Sequence, residues 1–261
     1  MSVRGRRGLD PAQFAVRVTY DGRRLQPPMP IAQLAEHVDA LLPVREPANT
    51  KHQRSRPSWL YVETVGDHVT CRNRLAERNL LMLDYDPQVV DILPEPFVLL
   101  PNPRSAKGLT PDFLVRLTDG RRAIVDVVSE HRAGQQRTQR HLRLMAQACE
   151  LVGYEHWALG EPNHVVCRNV RWLAGYRRAL PHMRHLIHAV LEAAGDHDEP
   201  ATVAGLAQAA GRRALGLPVV FHLLWHRLLR CDLTRFLDDD TPVWRATVPG
   251  PTANPNRIPV S

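Results

Sequence analysis

Lysine is almost missing from this chain. Of 261 residues only Lys51 and Lys107 are lysines, and arginine carries nearly all the positive charge. Long apolar runs are missing too. Stretches such as Leu217–Leu224 are far too short for a bilayer, which needs about 20 residues. No apolar segment follows the basic stretch Met1–Leu9, so no signal peptide is expected and the expected place is the cytoplasm. Cysteine is scarce: positions 71, 149, 167 and 231 form no CxxC pair and match no zinc spacing. Free, buried thiols are the expectation. What is present is ordinary for a soluble globular chain, with 44% hydrophobic and 23% charged residues. The net charge of +7 favours polyanionic partners, chiefly nucleic acid. An arginine excess also follows from a GC-rich gene, so charge alone does not decide the point.

The hydrophobic pattern divides the chain into four parts. Residues 1–55 read as a basic leader. In it Phe14, Val16, Val18 and Tyr20 alternate like a strand before the Asp21-Gly22 turn, and Ile31–Leu42 has the spacing of a short amphipathic helix between prolines. Residues 56–165 alternate between strand and helix patterns. Strands are expected at Trp59–Thr64, Val69–Cys71, Val89–Leu93, Phe97–Leu100, Asp112–Leu117, Arg122–Val128 and Tyr154–Leu159, and helices at Asn73–Leu83 and Gln135–Val152. This order implies an α/β core. Residues 166–247 turn helical, with candidates at Asn169–Tyr176, Pro181–Ala194, Thr202–Ala210 and Leu217–Arg230, where Gly216 and a first-turn Pro218 mark the start of the last. Two strands, Leu233–Leu237 and Val243–Thr247, then flank the turn Asp238–Asp240. Helices followed by a two-stranded wing make this a winged-helix-like C-terminal domain, the alternative being a helical appendage with a buttressing hairpin. The Pro- and Asn-rich tail, 248–261, reads as disordered.

The sharpest chemical pattern is Pro111-Asp112 on one strand and Asp126 on the next, joined by the turn Asp119-Gly120. A hairpin brings such a pair to one edge of a sheet, where two carboxylates suit a hard divalent cation. Asp126 lies inside Ala-Ile-Val-Asp-Val-Val, where an acid is costly unless paired or metal-bound. Glu77, on the preceding helix, is a third candidate. Plainer roles are available to each. Asp112 suits a turn cap, Asp126 suits backbone donors or an arginine, and Glu77 suits an i,i+3 pair with Arg74. The histidine pairs His185/His188 and His222/His226 read as part of a basic helical surface rather than as zinc ligands, and Trp172 and Trp225 read as core.

The acids, with Arg-Leu-Ala-Glu-Arg around Glu77, Leu83-Asp84-Tyr85-Asp86-Pro87, Glu95-Pro96-Phe97, Pro111-Asp112-Phe113 and Val125-Asp126-Val127, resemble the TnsA-like endonuclease subunits of heteromeric transposases. Asn169-Val170-Arg171-Trp172-Leu173-Ala174-Gly175-Tyr176-Arg177 and Leu217–Trp225 extend the resemblance over about residues 59 to 245. It implies a restriction-endonuclease-like mixed sheet flanked by helices, of the PD-(D/E)xK class. It also implies magnesium (or manganese) on Glu77, Asp112 and Asp126, and cleavage of the 5′ strands at transposon ends. The implied partners are double-stranded DNA, a DDE-type transposase subunit and an AAA+ transposition regulator.

One position departs from that pattern. The cation expected two residues after Asp126 is replaced by Val128, and valine neither activates water nor offsets charge on a phosphate. Arg132 and Lys107 are the candidate substitutes for charge, and His131 for a base. Arg171, Arg177 and Arg178 are candidate phosphate contacts by charge and position. The alternative to an active nuclease is a nuclease-dead adaptor that binds DNA and the transposase.

Overall fold

Arg122–Val127 has the β-branched density of a strand covered on both faces, and its side chains from Ala123 to Asp126 are buried. The computed structural model describes residues 14–20, 24–45, 58–102, 107–178, 184–195 and 199–246. The basic stretch 1–9, the Asp21-Gly22 turn, the Arg54–Pro57 boundary, Pro181 and the tail 248–261 lie outside the described residues. The chain is mixed α/β and divides into two units, one from residues 14–80 and 88–161, the other from 81–87 and 162–246. No described helix is long and apolar enough to cross a membrane.

The first unit opens with short strands β1 (Ala15–Arg17), β2 (Thr19–Tyr20), β3 (Arg24–Leu25) and β4 (Met29–Pro30). A helical stretch follows, with α1 (Leu34–His37) between the 3-10 turns Ile31–Gln33 and Val38–Ala40. Then come β5 (Ser58–Val62), β6 (Asp67–Cys71), α2 (Arg74–Tyr85), β7 (Val89–Pro94), β8 (Val98–Leu100), β9 (Phe113–Leu117), β10 (Arg122–Val127), α3 (Glu130–Ala133), α4 (Gln136–Val152) and β11 (Glu155–Leu159). The main sheet has the order β11-β10-β9-β7. Strand β9 is antiparallel to β7 and β10, and β11 is parallel to β10 through the α4 crossover.

The expectation of a leader fails for the residues described. Strand β1 pairs with β4 and with β8, and Phe14, Val16, Val18, Ile31 and Leu34 share one apolar cluster with Leu99, Leu114, Ile124 and Met145. The alternation of Phe14–Tyr20 was legible, but the distant strand that covers it, Val98–Leu100, was not. The expected helix over Ile31–Leu42 stops at Ala40, because Leu41 turns extended and Leu42 donates its N–H to the Thr19 carbonyl at 2.7 Å.

The second unit contains α5 (His164–Leu173) with the 3-10 turn Ala174–Tyr176, α6 (Arg184–Ala194), β12 (Ala201–Thr202), α7 (Val203–Ala209), α8 (Arg213–Trp225), β13 (Leu229–Cys231) and β14 (Pro242–Arg245). Its antiparallel sheet has the order β12-β14-β13. Helix α5 begins five residues before the expected Asn169, because the Asn163 side chain accepts from the N–H groups of Val165 and Val166.

Helix α8 also begins earlier than expected, at Arg213. Gly216 is not a break. A Cβ there would lie 2.0 Å from the Ala207 carbonyl oxygen, so glycine lets α7 and α8 cross closely. Pro218 then sits inside the helix rather than in its first turn. The helix ends at Trp225 rather than Arg230. Arg227 takes a left-handed φ of 58°, and Leu228 donates its N–H to the Leu223 carbonyl at 3.0 Å, closing the last turn. The guanidinium of Arg227, stacked 3.4 Å over the Tyr85 ring, occupies a position where glycine is usual. Leu233–Leu237 is not a strand, because the Asn169 amide donates to the Leu233 and Arg235 carbonyls and accepts from the Leu237 N–H. The strand that pairs with β14 is Leu229–Cys231 instead.

Candidate functional site

The turn Asp119-Gly120, with Gly120 at φ 83°, folds β9 back on β10 with Phe113 opposite Val125. The ladder ends at that pair, and Asp112, one residue before β9, shares Val125 with Phe113 as in a bulge, close to Asp126 on β10. Both acids are buried, and both belong to the first unit. Asp112 donates its backbone N–H to the Val125 carbonyl at 2.8 Å, and its Oδ2 accepts the Val127 N–H at 2.7 Å. Its Oδ1 lies 2.9 Å from Arg72 Nη2. The same guanidinium reaches Glu95 Oε1 through Nε at 3.1 Å and donates from Nη2 to the Thr110 carbonyl at 3.1 Å. Glu95 holds a left-handed φ of 43° and donates its own N–H to the Asp112 carbonyl at 2.9 Å.

Asp126 is clamped from both sides. His141 Nε2, on α4, lies 2.8 Å from Oδ1, and His156 Nε2, on β11, lies 2.8 Å from Oδ2. Glu77 sits in the first turn of α2, where its Oε2 accepts from Ser58 Oγ at 2.9 Å.

These placements set the protonation of the pair. Burial pushes the Asp112 carboxyl up to about 6; Arg72 opposes the rise and the charge on Asp126 adds to it. Burial also raises Asp126, but the hydrogen bonds and charges of His141 and His156 outweigh that and hold it below the usual carboxylate range. His141 is raised in turn: burial lowers it, and Asp126 more than compensates, with a further contribution from Asp112. The Cys71 thiol is pushed up to about 12 by burial, then by Glu77 and Asp112, so Glu77 belongs to the same electrostatic neighbourhood as the aspartate pair.

The three predicted acids thus fall in one region of the first unit. The predicted substitutes for the missing lysine do not fall with them in the same way. Arg132 is exposed on α3, Lys107 is exposed ahead of the Leu99–Leu109 bridge, and His131 is exposed beside Ser129. Val128 follows β10 and donates its N–H to the Leu159 carbonyl at 2.9 Å. In the second unit Arg171 and Arg178 are exposed and Arg177 is half-buried. Trp225 is core as expected, but Trp172 is 54% exposed, its ring tilted against Tyr176 and edge-on to Phe221. His226 is exposed and His222 half-buried. Their rings hydrogen-bond the Tyr176 and Arg177 carbonyls, each at 2.8 Å.

Three residues at the site were missed from sequence: Arg72, His141 and His156. For the histidines a signal existed. His141 stands four residues before Met145 and seven before Ala148, on the buried face of α4. His156 pairs with Ile124, which puts it on the same sheet face as Asp126. A buried acid on β10 needs donors, and these are the polar side chains on the faces that cover it. Arg72 carries no such signal, since only the folded chain brings it to Asp112, 40 residues away.

Among the described residues, no three or more His, Cys, Asp and Glu side chains converge closely enough to hold a metal ion. No family model matches the chain, and no curated protein matches it.

Proposed function

We propose that this chain is the TnsA-like endonuclease subunit of a heteromeric transposase, cutting the 5′ strands at transposon DNA ends. On this reading the first unit is a restriction-endonuclease-like core with Glu77, Asp112 and Asp126 as its acids. The observation that carries the reading is the buried Asp112–Asp126 pair at one end of the β9–β10 hairpin, with the Asp112 carboxyl raised to about 6. Burying like charges together is a cost that catalytic sites bear and structural cores avoid. The mixed sheet with a parallel last strand, packed against α4, supports the same core. The order helix, short strand, two helices, hairpin in α6 to β14, with β12 paired onto the hairpin, supports a winged helix in the second unit. Exposed Arg171 and Arg178, with Arg177, are its candidate phosphate contacts.

Magnesium fits the donor set in kind. Carboxylate oxygens are its ordinary ligands, and a divalent ion would offset the cost of burying the Asp112 carboxylate. On this reading Glu77, Asp112 and Asp126 would hold it. When bound, it supplies Lewis-acid polarisation of the phosphodiester. The chain's own residues do the rest. His141 and His156 keep Asp126 ionised and oriented, and the Val127 N–H fixes Asp112. The reaction is hydrolysis: a water oxygen bonds to phosphorus, one P–O ester bond breaks, and the leaving alkoxide takes up the proton that the water loses.

A second reading is a nuclease-dead adaptor that binds DNA and a DDE-type transposase under an AAA+ regulator. It is favoured by Val128, and by the donors already on all four oxygens of the aspartate pair. Strand cleavage of labelled transposon-end DNA separates the two. Wild type and Asp112→Ala are assayed with magnesium or manganese, with and without the transposase. Metal-dependent 5′-strand cleavage lost in the variant is expected. Intact DNA or transposase binding without cleavage under any condition establishes the adaptor.

A further inference from the structure

We infer that Arg72 supplies the cation that Val128 does not, presenting its guanidinium to the scissile phosphate of DNA. This rests on the nuclease reading above. Three observations carry it. The guanidinium is the cation on the acid pair itself, 2.9 Å from Asp112 Oδ1, and it sits on the solvent side of that acid. Its side chain is 39% exposed where Asp112 is 9% exposed. Its bonds to Glu95, Asp112 and Thr110 use Nε and Nη2 only, so among the described residues Nη1 has no partner. An arginine held on two atoms with a third free is oriented before a ligand arrives, and a planar guanidinium matches the oxygens of a phosphate. The third observation is the cost of the arrangement. Glu95, which fixes Nε, keeps a left-handed φ of 43° that an L residue rarely adopts.

Chain order fits the role. Arg72 follows β6 directly and lies five residues before Glu77, so the cation and the helix acid enter the site on one short segment. Arginine stays protonated and takes no proton from water, so its role is to offset charge growing on the phosphate oxygens. A merely structural Arg72 would neutralise Asp112 and Glu95 without touching DNA.

Two measurements on the full chain, with the transposase present, separate these cases. The first is magnesium-dependent cleavage of a labelled transposon-end duplex. Arg72→Gln is expected to lose about 10²- to 10³-fold, Arg72→Lys less, and Arg72→Gln with Val128→Lys to regain much of the loss by restoring a cation at the usual place. The second is binding of the same duplex in calcium across a salt series. Loss of one phosphate contact lowers the slope of log K against log salt by about 0.9 in Arg72→Gln and leaves it unchanged in Arg72→Lys. Retention of the lysine variant's slope and of the circular dichroism of both variants excludes misfolding as the cause. Cleavage by Arg72→Gln at the wild-type rate, or an unchanged salt slope, overturns the inference while leaving the nuclease reading standing. Absence of cleavage by the wild-type protein overturns the nuclease reading and the catalytic role of Arg72 with it, whatever the slope.

Discussion

Removing His156 should cost the first unit far more stability than removing His141, although each imidazole makes one 2.8 Å bond to Asp126. The side chains of His156 and Asp126 are 5% and 4% exposed, whereas that of His141 is 24% exposed. Water can replace the His141 donor at the rim. It cannot reach the Oδ2 side, so His156→Ala leaves a buried carboxylate oxygen without a donor. Leaving a buried polar acceptor without its donor costs about 1–3 kcal/mol, and more for a charged one. His156→Ala is placed at about 3 kcal/mol, because the orphaned oxygen belongs to a carboxylate; a charge-assisted hydrogen bond partly replaced by water puts His141→Ala at about 1–2 kcal/mol. Asp126→Asn removes the charge that needs compensation, so His156→Ala in that background should cost only about 1 kcal/mol, a coupling of about 2 kcal/mol. Urea unfolding followed by far-UV circular dichroism and tryptophan fluorescence measures all four corners of the cycle. Trp157, one residue along β11, reports on the first unit. A coupling below about 0.5 kcal/mol, or equal costs for the two histidines, would refute the clamp as a charge-stabilising device.

Two further outcomes follow from the same structure. The first unit should be most stable near pH 4 and weaken as pH rises toward 8. Asp112 has its folded value, about 6, above its ordinary 3.8, so its contribution is complete below 3.8 and lost as pH rises through about 6. His141, raised above 6.5, likewise contributes fully below 6.5 and loses that contribution at higher pH, while Asp126, lowered from 3.8, loses its contribution only in stronger acid. Denaturant midpoints at pH 5 and pH 8 check this, and Asp112→Asn should flatten the difference. In the second unit, Gly216→Ala should cost about 1–3 kcal/mol or more, because the new methyl meets the Ala207 carbonyl at 2.0 Å and backbone must move. Thermal unfolding of the variant checks it, and an unchanged midpoint would mean that α7 and α8 yield without strain.

Much of the core was legible because its signals are local. The 3.6-residue stripe of Gln136–Val152, the β-branched run Arg122–Val127 and the Asp119-Gly120 turn each announce an element within a few residues, and together they place Asp112 against Asp126. What stayed hidden depends on partners remote in sequence. Val98–Leu100 turns an apparent leader into core, and Ala207 turns an apparent break at Gly216 into a helix crossing. Asn169 draws Leu233–Leu237 out of a strand. Arg227 ends α8 without the glycine that usually marks such an end. At the site the acids were found because acids on apolar strands stand out. Arg72 was missed because an arginine beside a turn looks like any other in an arginine-rich chain.

The clamp on Asp126 also has an order in time. The hairpin that brings the two aspartates together closes within residues 112–126, but both histidines arrive with the crossover that follows, one on α4 and one on the parallel strand β11. A parallel pairing cannot form until its whole connection is available, so during synthesis Arg72 can meet Asp112 before His156 can meet Asp126. A nascent chain that stops short of β11 therefore carries an unpaired edge on β10 and lacks His156, one of the two donors to Asp126. β11 supplies both the missing strand and His156, so its docking is the step that completes the clamp.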